Sequence, residues 1–141
     1  MKMILKASLV ASLSLCTSLQ AASLPTSASP EGAKAYIISP ADGATVGKSV
    51  TVKFGLQGMG VSPAGLDKAK TGHHHLIIDG KTMPALDKPL GNEVMHFGGG
   101  QTEKTIELTP GKHTLQLILG NYLHIPHSPP VISEAITITV K

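Results

Sequence analysis

Seven histidines stand in this chain, all of them in its second half. His73, His74 and His75 are consecutive and lead into Leu76-Ile77-Ile78, and His96, His113, His124 and His127 follow. Neutral imidazole is the commonest protein metal ligand and the usual proton shuttle near neutral pH. Imidazoles crowded into one half of a small chain therefore point to metal binding or to acid–base chemistry. The apolar run after the triplet reads as a buried strand, and side chains alternate across a strand. His73 and His75 then share a face with Ile77, while His74 shares the other with Leu76 and Ile78. A His-x-His pair of this kind offers two imidazoles to one ion and leaves His74 a structural role. His124-Ile125-Pro126-His127 is also chelate-like, with Pro126 stiffening the loop that carries it.

Zinc and copper both accept imidazole nitrogens in sites of three or four ligands. The candidate metal ligands are thus His73, His75, His96, His124 and His127, with copper or zinc as the expected ion. Met59 and Met95 would fall on the same rim, where thioether sulfur favours copper, Cu(I) above all. For both, the preferred reading is loop or core filler. A histidine at a strand end commonly does no more than hydrogen-bond a backbone carbonyl. That structural reading is preferred for His113, whose parity matches Leu115 and Leu117, and for His74. Gly98-Gly99-Gly100 is read as a tight turn, since no helix start or P-loop lysine follows it.

The elements that must position these residues read as strands. Val50, Val52, Phe54 and Leu56 alternate with Thr51, Lys53 and Gly55, and Ile136, Ile138 and Val140 alternate with Thr137 and Thr139. Leu115, Leu117 and Leu119 do the same, although Ile118 makes the second face partly apolar. Such alternation argues half-buried antiparallel strands. It places them at about 34–39, 48–56, 72–79, 94–97, 103–108, 112–120 and 132–140, with no helical period anywhere. Pro40-Ala41-Asp42-Gly43, Thr109-Pro110-Gly111 and Ser128-Pro129-Pro130 punctuate them. Seven short strands separated by turn signals predict an all-β, immunoglobulin-like antiparallel β-sandwich, with a small closed barrel as the alternative. In immunoglobulin topology the second, fourth and sixth connections lie at one end. That rule gathers every histidine except His113 on a single rim. The connections at 57–71 and 121–131 are long, as functional loops often are.

Lys2 and Lys6, an apolar stretch to about Leu19 and the small pair Ala21-Ala22 form the pattern of a secretory signal peptide over residues 1–21. Cys16 is the chain's single cysteine and follows Leu15, so a lipid-anchoring site is not expected, nor any membrane anchor. A flexible leader is expected at 22–33 and a single β-sandwich domain at 34–141. Without Cys16 the mature part has no disulfide and no thiolate metal site. It keeps ten of the twelve lysines against nine acidic residues, and arginine is absent. A chain so nearly neutral lacks the basic stripe of a nucleic-acid binder. Localisation is expected to be periplasmic or secreted.

Gly72-His73-His74-His75-Leu76, His96-Phe97-Gly98-Gly99-Gly100-Gln101-Thr102 and Pro110-Gly111-Lys112-His113-Thr114-Leu115-Gln116-Leu117 resemble a small exported bacterial family, a domain of unknown function of the DUF4399 type. His124-x-x-His127, with Pro129-Pro130 and Ser133, fits the same pattern. The resemblance runs from about Ala35 to Val140 and implies an exported stand-alone domain, without supplying an activity.

The leading functional expectation is a periplasmic metal-binding protein, with copper first, in storage, delivery or sensing. Its partners would be the metal ion and another periplasmic protein. A non-catalytic interaction module with structural histidines is the second class. A redox enzyme like copper–zinc superoxide dismutase is the third, though this chain lacks that family's cysteine pair and active-site arginine. No serine or acidic pair forms a recognisable hydrolase constellation.

Overall fold

The computed structural model describes residues 23–141, so the expected signal peptide lies outside the described residues. All regular structure in those residues is strand: β1 (Lys34–Ser39), β2 (Thr45–Val46), β3 (Ser49–Gln57), β4 (Gly60–Val61), β5 (Thr71–Ile78), β6 (Met95–His96), β7 (Glu103–Glu107), β8 (Gly111–Gly120) and β9 (Ile136–Val140). They form two sheets. One has the order β1-β3-β7; the other has the order β2-β9-β8-β5-β4, with β6 also on β5. This is the all-β sandwich that the alternation predicts.

The alternating residues of β3 send Val50, Val52 and Phe54 inward and leave Thr51 and Lys53 exposed. They meet Leu76, Leu115, Leu117, Leu119 and Ile138 from the second sheet in one core. Thirteen buried apolar residues make up that core, enough to hold two sheets face to face without a disulfide. β5 differs from the other strands because it is buried on both faces, over Gly72–Ile77 without a break. Its inner face carries Leu76 into the main core. Its outer face carries Ile77 into a smaller cluster with Ile118, Leu90 and Val94. The connection between β5 and β6 therefore folds back over the outer face of the sheet.

Three departures from the expected strands matter for the site. β6 pairs with β5, His75 opposite His96, and not with the first sheet. A two-residue strand has too few ladder bonds for its partner to be read from the sequence, and this pairing moves His96 from the loop rim onto the sheet. The last strand begins at Ile136, not 132, because the Ser133 hydroxyl accepts the Leu117 amide (2.8 Å) and interrupts the ladder. β2 and β4 are short additions at the sheet edges; β4 lies within the long 57–71 connection, parallel to the start of β5.

The segment expected as a flexible leader is hydrogen-bonded along the β8–β9 connection. The Ser29 amide donates to the Ser128 carbonyl at 3.1 Å, and the Ser128 amide donates to the Ser27 carbonyl at 3.0 Å. No helix among the described residues is long and apolar enough to cross a membrane.

Candidate metal centre

β5 and β8 run antiparallel with His73 opposite Gly120 and His75 opposite Ile118. Directly opposed residues share a face, so His73 and His75 stand on the outer face of the sheet, beside the bare backbone of Gly120. A methyl carbon at Gly120 would sit 2.6 Å from His75 Cε1, so glycine there is what gives the ring its place. On the other edge of β5, His96 lies opposite His75 and on the same face. A side chain at Gly98 would collide with the His96 ring, so the glycine run after β6 clears room for it.

The fourth ring comes from the β8–β9 connection. Asn121 holds the turn: its side-chain carbonyl accepts the amides of Leu123 (2.9 Å) and Ile125 (3.0 Å). Its side-chain amide donates to the Pro25 carbonyl and to Ser27 Oγ, tying the N-terminal segment to the same turn. His124 ends that turn at φ 65°, a left-handed conformation uncommon outside glycine. The carbonyl of His124 accepts the Leu90 amide, which joins the turn to the covering connection. Its ring reaches His73, with Nδ1 of His124 and Nε2 of His73 at 3.0 Å, one donating and the other accepting.

One nitrogen from each of His73, His75, His96 and His124 lies within 4.8 Å of every other. The rings stack edge-on or tilted, with centroids 4.5–6.0 Å apart. Burial is graded: His73 and His75 are 0 % and 1 % accessible, His124 is partly exposed and His96 is exposed. Both nitrogens of His75 and Nδ1 of His73 are buried with no hydrogen-bond partner. Unpartnered buried polar atoms cost about 1–3 kcal/mol each, which binding a metal would offset here; both nitrogens of His74 and Nδ1 of His127 carry the same cost outside the group.

Burial and the neighbouring rings favour the neutral form of three of the four. Burial first, then the neighbouring His124 and His96, push His73 down to about 4. Burial, then His73 and His96, take His75 to about 3. Burial and His96 also lower His124. Imidazoles that resist protonation present free lone pairs at neutral pH, which is the state a metal ion requires.

The remaining histidines do other things. His127, expected among the ligands, is outside the group of four; its buried ring donates from Nε2 to the Thr71 carbonyl at 3.1 Å. His74 points into the main core against Phe54, centroids 5.3 Å apart, and burial holds it down at about 4. His113 donates from Nδ1 to Asp79 Oδ2 at 2.6 Å and from Nε2 to the Thr109 carbonyl at 2.8 Å. Two acceptors on one ring require the protonated form, and Asp79 accordingly raises the pKa of His113. Neither methionine joins the group of four. Met59 packs against the main core, and Met95, opposite Leu76, lies on the other face of its strand from His96. The sequence reading missed Gly120 and Asn121, whose roles depend on a cross-strand partner and a turn.

The family model described as a domain of unknown function (DUF4399) matches residues 52–141, from within β3 to the C-terminus. The chain belongs to that family. All seven histidines and Asn121 fall inside the matched stretch. No curated protein and no solved structure matches the chain.

Proposed function

We propose that this is an exported β-sandwich protein that binds one transition-metal ion, copper first and zinc second, through His73, His75, His96 and His124. One observation carries the reading: four imidazole nitrogens within 4.8 Å of one another, from two strands of one sheet and a loop. Metal–nitrogen bonds of about 2.0–2.1 Å put neighbouring tetrahedral donors roughly 3.3 Å apart. The 3.0 Å His73–His124 pair is already near that spacing. Copper ranks first because Cu(II) binds nitrogen donors more tightly than the other divalent ions of its row. The reading does not use thioether sulfur. Storage, delivery or sensing in the periplasm fits a site with an exposed edge and no partnered acid–base pair.

Calorimetric titration of the mature chain with Cu(II) and Zn(II) tests the reading. One equivalent should bind, and His75→Ala should weaken binding by at least about 100-fold, as losing one of four donors does to a chelate. His113→Ala and His127→Ala should each stay within about threefold of wild type, because neither ring adds a donor to the group. Equal weakening by His75→Ala and His113→Ala would overturn it, as would only millimolar affinity in the wild type. Export has its own check: the intact mass of periplasmic protein should show loss of about twenty residues.

A further inference from the structure

The four imidazoles do not close evenly around their centre. His73 and His75 are buried on β5, whereas His96 and His124 also line a cleft of about 210 Å³ formed with Leu90, Gly91, Asn92 and Val94. Water occupies about 30 Å³ in the liquid, so the cleft holds several small atoms beside the two outer rings. The ligand set is entirely neutral; no carboxylate belongs to the group. A divalent ion held by four imidazoles keeps its full charge in a partly desolvated place, and such a charge is costly unless a counter-charge reaches it. Glu93, between two residues of the cleft wall, is exposed and outside the group of four, and its Oε1 accepts the amide of Gly91 at 3.1 Å. No lysine lines the cleft. The four ligands supply no negative charge, and the cleft gives an external anion a path to the outer two.

We propose that the cleft is a ligand subsite of the metal centre, which admits a small monoanion to the bound divalent ion between His96 and His124. The proposal rests on the metal-binding reading above and adds the coordination position, its direction of access and the class of ligand. The walls set the class. Leu90 and Val94 are apolar, Asn92 supplies an amide, and the room suits an anion of a few atoms.

The test uses the mature chain loaded with one equivalent of Cu(II) and titrated with azide. A saturable azide-to-copper charge-transfer band and a changed electron paramagnetic resonance spectrum are expected, with copper retained. Asn92 is exposed, so Asn92→Phe should fold and load copper normally while filling the cleft. It should weaken azide binding by at least about tenfold, since the anion must displace a side chain. Copper bound at one equivalent with no azide band, at concentrations where a free copper–imidazole complex forms one, would overturn the subsite and leave the metal site standing. Equal azide affinity in Asn92→Phe would overturn the cleft as its route. Failure of copper to bind at all would overturn the metal-binding reading, and the subsite with it.

Discussion

Three consecutive histidines have two different fates here, and the alternation of a strand decides them. His73 and His75 meet other imidazoles on the outer face, while His74 enters an apolar core with both nitrogens unpartnered. A neutral ring buried without partners is a cost of about 1–3 kcal/mol for each orphaned atom. His74→Leu should therefore raise stability in urea at pH 7 by about that amount and leave metal stoichiometry unchanged. The effect should grow in acid. The folded-state pKa of His74 is about 4 and its ordinary value is 6.5, so between those values the unfolded chain takes up a proton and the folded chain does not. Stability is whole above 6.5 and drains as pH falls towards 4, by about 3 kcal/mol for this ring alone. His113 has the opposite sign: its raised pKa supports the fold below 6.5 and the contribution is lost as pH rises through the raised value. Urea midpoints of metal-free wild type and His74→Leu at pH 7 and pH 4.5 would decide the matter. A variant less stable than wild type at both would show that His74 has a partner after all.

At the scale of elements, most strands were legible because each has one face in the core and one in water. β3 and β9 follow their period-two pattern closely. β5 was legible for a different reason, as a run without polar breaks other than histidine, and its double burial explains that composition. What escaped the sequence reading depends on pairings between distant segments. The partner of β6 fixes which face carries His96 and which carries Met95, and two residues contain no pattern that names a partner. His127 looked like a chelate partner of His124, but the turn that Asn121 builds sends the two rings to different places. That turn depends on one buried side chain with four hydrogen bonds, two of them to the N-terminal segment. Asn121→Ala should loosen His124 and weaken metal binding by about tenfold, less than the loss of a ligand. Asn121→Asp keeps the acceptor for Leu123 and Ile125 and should restore most of the affinity. An alanine variant with wild-type affinity and an unchanged Cu(II) spectrum would show that His124 is positioned without Asn121.

For the whole molecule, the proposed centre would join parts that the hydrophobic core leaves loosely connected. Its four ligands come from β5, from a two-residue strand at the sheet edge and from the β8–β9 connection, and the β5–β6 connection reaches the same turn through Leu90. A metal that binds only this folded arrangement stabilises it by RT ln(1 + [M]/Kd), about 2.7 kcal/mol when the free ion is a hundredfold above Kd. For a domain of this size that corresponds to a rise in thermal midpoint of roughly 10 °C. The gain should be local as well as global. Amides of residues 90–96 and 121–125 should exchange more slowly with metal bound, while those of β1 and β7, on the other sheet, should respond only through the change in global stability. His75→Ala should abolish both effects at the same metal concentration, and His113→Ala should keep them. A midpoint raised equally in wild type and His75→Ala would mean that the ion acts elsewhere on the surface and that the four imidazoles do not hold it.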